Sequence, residues 1–373
     1  MKQEKNEMKQ TLARLVAPVL ALGLAAPALA EIAFTDIEGR QIVLEQPPAR
    51  VALGFYYEDY LAVTGSEGLD RVVSLSRSPW ADWRPGQWQA YTVRFPQLET
   101  LPDFGNADDN SFSVEALIAT QPEVAILAPW QTGAIGAAGV AQIEAAGITV
   151  VAIDYNAQTL ERHLESTRIL GALLGHADRA EELAAFYEAM TQDTMARIAA
   201  AGASDRRVYV ELAQRGPGEV GNSYGRGMWA GVIELVGGDN IARGQIENWG
   251  PLNPEYVLSR QPEVILLAGS EWLNRPEAVL LGFGQDAALA RERMAAYTTR
   301  PGWADLPAVQ SGDVYSIYHG GNRTLSDFVY ARAIAKAIYP EAFADVDPAA
   351  ELAAFYDRFL PVAADGVFVV GLR

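Results

Sequence analysis

Short, nearly all-apolar runs alternate along this chain with stretches of helical periodicity. Val51–Phe55, Arg71–Leu75, Val124–Leu127 and Thr149–Ile153 occupy the first half, and Val208–Leu212, Val264–Leu267 and Val314–Ile317 the second. Runs so short and so uniformly apolar are what parallel strands buried on both faces require. A helix is expected between the first two, from about Glu58, and an Ala/Gly-rich helix between the next two. Strands that alternate with helices place the chain in the α/β class.

Between the halves the pattern turns helical from about Leu160 to Ala201. Leu164, Ile169, Leu173, Leu183, Tyr187 and Met190 recur at helical spacing, with a turn expected at Gly175-His176-Ala177. The stretch after Asp178 fits one helix of about six turns. Its Ala/Glu/Arg composition favours a stiff connector over a flexible linker, so only modest hinge closure is expected.

The two halves share a repeat. Residues 114–127, VEALIATQPEVAIL, are matched about 140 positions later by residues 254–267, PEYVLSRQPEVILL. One recurrence at that distance indicates a duplicated lobe. Each copy reads as a short helix, a proline that stops it and a buried strand. Turn chemistry accounts for the Gln-Pro-Glu-Val core; Glu115 and Glu255 suit the first turn of a helix. The expected fold is thus two α/β lobes with parallel-type sheets, residues 31–156 and 204–373, bridged by a long rigid helix over 157–203, with a ligand cleft between the lobes.

Composition narrows the chemistry. The chain has 373 residues, no cysteine and a net charge of −18. Disulfides, thiolate metal sites and thiol nucleophiles are excluded. The acidic surface repels phosphate backbones and argues against nucleic acid as a partner, and it favours a soluble monomer. Lys2, Lys5, Lys9 and Arg14 precede an apolar run from Leu15 to Ala26 and the small-x-small sequence Ala28-Leu29-Ala30. That is the pattern of a secretory signal peptide cleaved after Ala30, which points to an extracytoplasmic space, a Gram-negative periplasm. Only three histidines exist, His163, His176 and His319. No closely spaced metal-ligand set appears, and no cofactor is expected. His163 and His176 read as surface or turn residues of the helical block.

These segments together resemble the periplasmic solute-binding proteins that serve importers of iron–siderophores, cobalamin and haem. The resemblance rests on Arg50-Val51-Ala52-Leu53 with Glu58-Asp59-Tyr60-Leu61, on the paired helix–Pro–strand segments, on residues 231–242 with their Gly-Gly-x-Asn turn, and on Trp303-Ala304-Asp305-Leu306-Pro307 with Gly312-Asp313-Val314-Tyr315. It implies a binding protein and not an enzyme. It also implies that one glutamate on each lobe docks onto arginines of an ATP-binding cassette (ABC) permease dimer, and by position these are Glu115 and Glu255. Two carboxylates at equivalent points of a pseudo-symmetric molecule suit a two-fold partner.

Aromatic and arginine residues cluster just past strand ends, where an α/β sheet faces its ligand. Trp80, Trp83, Trp88 and Tyr91 lie in a dense insertion, read as a loop, after Arg71–Leu75, and Trp130 follows Val124–Leu127. Tyr224, Arg226 and Trp229 follow Val208–Leu212, Trp272 follows Val264–Leu267, and Tyr318, His319 and Arg323 follow Val314–Ile317. Aromatics can supply flat walls, and Arg77, Arg84, Arg226 and Arg323 can pair with anionic groups. The resemblance makes an iron–siderophore the leading ligand. Cobalamin is an alternative, and haem would want an axial His or Tyr. A competing motif, Gly221-Asn222-Ser223-Tyr224-Gly225, matches the G-x-S-x-G nucleophile elbow, with Asp305 or Asp313 and then His319 completing a serine-hydrolase order. Arg215-Gly216-Pro217-Gly218 interrupts the strand such an elbow needs, so Gly221–Gly227 reads better as a flexible cleft loop.

Overall fold

A computed structural model describes residues 31–156 and 159–373; the expected leader over residues 1–30 lies outside the described residues. Two separate sheets carry the two halves. The first runs in the order Val72–Leu75, Val51–Leu53, Val124–Leu127, Thr149–Ala152, all parallel. The second runs Asp239–Asn240, Arg207–Leu212, Val264–Gly269, Val314–Tyr318, with Val369–Gly371 antiparallel at the far edge. Numbered in chain order within each lobe, both sheets share one pattern, second-first-third-fourth. The duplication therefore extends from sequence to topology. In such a sheet the winding reverses between the first and third strands and opens a crevice at their carboxyl ends. Val124–Leu127 and Val264–Gly269, the third strands, are buried at every position, which is why their sequences lack polar alternation.

The repeated segment folds alike in both lobes. Helices Val114–Ala119 and Pro254–Arg260 are capped by Ser113, whose hydroxyl accepts from the Ala116 N–H at 3.1 Å, and by Asn253, whose side chain accepts from the Glu255 N–H at 2.8 Å. Each helix is followed by a left-handed glutamine, Gln121 and Gln261, both at φ 49°. Such a conformation costs an L residue roughly 1–2 kcal/mol. Both turns are braced in the same way: Arg50 Nε donates to the Gln121 carbonyl at 2.8 Å and Arg207 Nε to the Gln261 carbonyl at 3.0 Å. The next glutamates, Glu123 and Glu263, accept the backbone N–H of Ala49 at 2.7 Å and of Arg207 at 3.2 Å. Gln-Pro-Glu is thus turn chemistry that ties each helix to the first strand of its lobe. Glu115 and Glu255 stand exposed in the first helical turns.

The connector is helix Leu160–Leu174, ended by Gly175 in the left-handed region (φ 77°), then the 25-residue helix Ala177–Ala201. That second helix is about 37 Å long. Three expectations need correction. His163 is not at the surface. It is fully buried, and Asp327, 164 positions away, accepts from its Nε2 at 3.0 Å while the Thr159 carbonyl accepts from Nδ1 at 2.8 Å. The carbonyl oxygen accepts, so Nδ1 carries a proton. Burial opposes a positive charge on the ring, but Asp327 overrides it and raises the pKa above the ordinary value. The aromatic insertion is not a loop: Ser78–Ala81 and Pro85–Arg94 are helices, the latter started by Pro85, whose fixed φ suits a first helical turn. Nor is Gly221–Gly227 a free loop, because Asn222–Tyr224 pairs antiparallel with Trp249–Pro251.

One buried ion pair fixes the chain as it leaves the second lobe's first strand. Glu211 accepts from Arg300 Nη1 at 2.6 Å and Nη2 at 2.9 Å, and also from Tyr209 and the Gly221 N–H, both at 2.8 Å. Arg300 donates onward to the Pro217 carbonyl at 2.8 Å. Arg300→Met strands a buried carboxylate and is expected to cost about 3–5 kcal/mol. Urea unfolding measures this, and a loss below about 1 kcal/mol would contradict the assignment.

Candidate ligand cleft

A cavity of about 480 Å³ opens between the lobes. The first lobe contributes Asp82, Trp83, Arg84 and Asp108. The second contributes Leu212 at the end of its first strand and Gln214 after it, Ser270 and Trp272 after its third, and His319 and Arg323 after its fourth. These are the carboxyl ends on either side of the reversal in winding. The first lobe's reversal is marked by Phe55, after Val51–Leu53, and Trp130, after Val124–Leu127, packed edge to face at 5.1 Å.

Two guanidiniums meet at that aromatic pair. Arg323 lies 4.5 Å from the Phe55 ring centroid and 5.4 Å from that of Trp130, and Arg84 lies 5.2 Å from Phe55. Desolvated contacts of this kind are worth about 2 kcal/mol. Among the described residues neither side chain has a carboxylate at salt-bridge distance or a hydrogen-bonded acceptor. Their surroundings differ. Burial works against the Arg84 charge, but Tyr318, Tyr57, Glu58 and Glu271 outweigh it and hold its pKa above the ordinary value. Burial, and then Arg84 itself, push Arg323 below the ordinary guanidinium range. Among the described residues, Arg323 Nε is buried without a hydrogen-bond partner. Arg323 is the less compensated of the two charges.

His319 adds a neutral donor. Burial, then Arg323 and Arg84, push its pKa down to about 3. Its Nδ1 accepts from the Trp229 indole N–H at 3.1 Å, so in the neutral ring the proton resides on Nε2.

Three buried carboxylates stitch the walls together across the seam. Glu58 accepts from Tyr91 at 2.8 Å and, from the other side, from Tyr356 at 3.0 Å. Asp59 accepts from the Thr324 hydroxyl at 3.0 Å and the Leu325 N–H at 2.7 Å, the two residues after Arg323. Glu271 accepts from the Gly86 and Gln87 N–H groups of the first lobe at 2.5 and 3.0 Å, and from Phe283 N–H and Tyr318 OH of its own lobe at 2.9 and 3.2 Å. Burial raises all three carboxyl pKa values, that of Asp59 to about 7.

Of the residues expected to touch ligand, the structure brings Trp83, Arg84, Trp272, His319 and Arg323 to one cavity. Trp130 sits behind Arg323. The others are placed elsewhere. Trp80 is fully buried and stacks on Tyr57 at 4.3 Å, with Trp88 and Tyr91 against its edges. Trp229, Tyr224 and Tyr318 are buried. Arg77 donates to the Leu101 carbonyl, and Arg226 borders a different surface hollow with Glu234 and Arg243. Phe55 and Trp249 were missed. Phe55 read as the end of its strand; Trp249, 64% exposed, lies on a short antiparallel strand that no parallel-strand pattern announces. The hydrolase constellation does not assemble. Ser223 Oγ is buried with no hydrogen-bond partner among the described residues, His319 Nδ1 is taken by Trp229, and Asp313 is held by Arg206 at 2.6 Å.

The comparisons agree with this geometry. The family described as "Periplasmic binding protein" matches residues 83–319. A TroA-like periplasmic binding protein, FepB from Veillonella parvula, superposes with a TM-score of 0.87 at 33% identity, over 92% of this chain and 100% of that one. The molybdate-binding protein MolA of Haemophilus influenzae is 24% identical over 92% of this chain and 95% of its own. A periplasmic haem-binding protein from Pseudomonas aeruginosa shares the fold at a TM-score of 0.55 and 19% identity, over 79% of this chain and 94% of that one. Among the described residues no helix is long and apolar enough to cross a membrane.

The depressed His319 pKa has a testable sign. The unfolded chain protonates this residue near pH 6.5, whereas the fold resists until about pH 3. Between those values the fold binds fewer protons and loses stability as pH falls. His319→Gln is therefore expected to show a smaller drop in Tm between about pH 7 and about pH 5 than the parent. NMR of the parent should show no His319 titration in that window; a midpoint near 6.5 would overturn the assignment.

Proposed function

Since the chain belongs to the periplasmic binding protein family, we propose that it is the binding component of an ABC importer, whose cleft captures an anionic ligand, foremost a ferric siderophore, for a two-fold membrane permease. The observation that carries this reading is the pair Arg84 and Arg323, both at the reversal in winding and neither at salt-bridge distance from a carboxylate among the described residues, Arg323 being the less compensated. A buried cation without a partner is costly, and an anionic ligand supplies the missing partner with charge-assisted hydrogen bonds. Trp83, Trp249 and Trp272 offer flat walls beside these charges.

Size separates the candidate anions. The resemblance to a molybdate-binding protein makes a tetrahedral oxyanion the second reading. Such an ion fills on the order of 100 Å³, a few water volumes, and leaves most of the roughly 480 Å³ cavity unfilled. A bulky anionic chelate suits it better. Haem is less favoured, because the His319 nitrogen remaining for an axial bond carries a proton. Cobalamin would use the aromatic walls but has no need of two cations. Delivery would use Glu115 and Glu255, set in matching frames on the two lobes. Export would use the leader that precedes Glu31.

Native mass spectrometry of protein from iron-starved periplasm is expected to show a co-purified ferric chelate; a corrin, haem or oxyanion would replace the first choice. Arg323→Gln should weaken binding of that chelate by about 10- to 100-fold, the value of a charge-assisted bond, as read by tryptophan quenching. An unchanged affinity would remove the anion argument. The double variant Glu115→Ala/Glu255→Ala is expected to bind ligand normally and to lose uptake, and normal uptake would refute the docking role.

A further inference from the structure

A second cavity, of about 570 Å³, adjoins the first. Trp272 and Leu273 line both, so the two adjoin at that dipeptide. They differ in charge. The first holds three guanidiniums, Arg84, Arg323 and Arg275, beside Asp82 and Asp108. The second has no cation among its lining residues; Ala90 and Val93 of helix Pro85–Arg94 face it from one lobe, Leu280 and Phe283 from the other. Two carboxylates line it: Glu271, already committed to four donors, and Asp365.

Exposure singles out the same place. Among the described residues five large apolar side chains are exposed, and Val93 (78%), Trp249 (64%) and Leu273 (62%) border these two cavities. Apolar surface gathered at one spot and adjoining a charged pocket marks a binding surface more than chance exposure does. The partition is also firm, because the Glu271 bonds to Gly86 and Gln87 fix the start of helix Pro85–Arg94 against the second lobe.

Resting on the anionic reading above, we infer that the ligand is amphiphilic: its anionic head lies between Arg84 and Arg323, and an apolar arm crosses Trp272–Leu273 into the second cavity. The arm gains by burial against Val93, Ala90 and Phe283, where a second anionic group would find no counter-ion. Ligand class is thereby set by two neighbouring sites that differ in charge.

Methyl sulfate and hexyl sulfate, which share a head and differ in tail, test this by titration calorimetry. Hexyl sulfate is expected to bind at least about tenfold more tightly, since each buried methylene adds several-fold. Val93→Asp and Ala90→Glu, each outside the charged cavity, should shrink that ratio below about threefold while leaving methyl sulfate affinity as it was. Equal binding of the two sulfates, or a ratio untouched by both variants, overturns the second subsite. Methyl sulfate that binds Arg323→Gln as well as it binds the parent overturns the anionic reading beneath it, and this outcome is read separately from the tail.

Discussion

A carboxylate taken out of water must be given donors, and at the seam of this protein the donors come largely from the opposite lobe. Glu58, Asp59 and Glu271 are buried between the halves, and each is answered across the seam, by Tyr356, by Thr324 and Leu325, and by Gly86 and Gln87. Removing such a group from its donors costs several kcal/mol. The relative placement of the lobes is therefore specified by a few directional contacts as well as by apolar area. Everything that lines the cleft inherits its position from them. Asp59 holds the turn directly after Arg323, and Glu271 holds the start of the helix directly after Arg84.

That arrangement explains how an acidic protein can present a cationic pocket. The chain carries a net charge of −18, but a ligand in a narrow cleft meets the local field, where low-dielectric walls screen poorly. Glu58 and Glu271 stabilise the Arg84 charge from behind, while for Arg323 burial and the like charge of Arg84 outweigh what Tyr56, Asp108 and Tyr57 return. His319, kept neutral by the same two arginines, adds a directed N–H without a third positive charge.

Much of the fold was legible because periodicity and turn chemistry act locally. The strand runs fall within a residue or two of the observed strands, the helical connector appears with its glycine break, and the repeat identifies two lobes before their sheets are known. The site was legible only in outline. Strand ends point to the cleft, which is why Arg84, Trp272 and Arg323 could be found. But Trp80 and Tyr91 occupy the same short stretch as Trp83 and Arg84, and only packing separates core from wall. Periodicity in residues 85–94 was masked by proline and glycine at its start, so a helix read as a loop. The burial of His163 depends on Asp327 and Tyr187, partners too distant in sequence for any local pattern to join.

The braced glutamine turns give the molecule a property beyond folding. Arg50 and Arg207 lock Gln121 and Gln261 to the first strand of their own lobes, so the helices that carry Glu115 and Glu255 are each rigid with respect to their own sheet. Neither carboxylate can report on the cleft by moving within its lobe. What can vary is the distance and angle between the two, and that is set at the seam. With the docking role proposed above, the pair would act as the jaws of a caliper pivoting at the cleft, and a partner gripping both jaws would measure occupancy without touching the ligand.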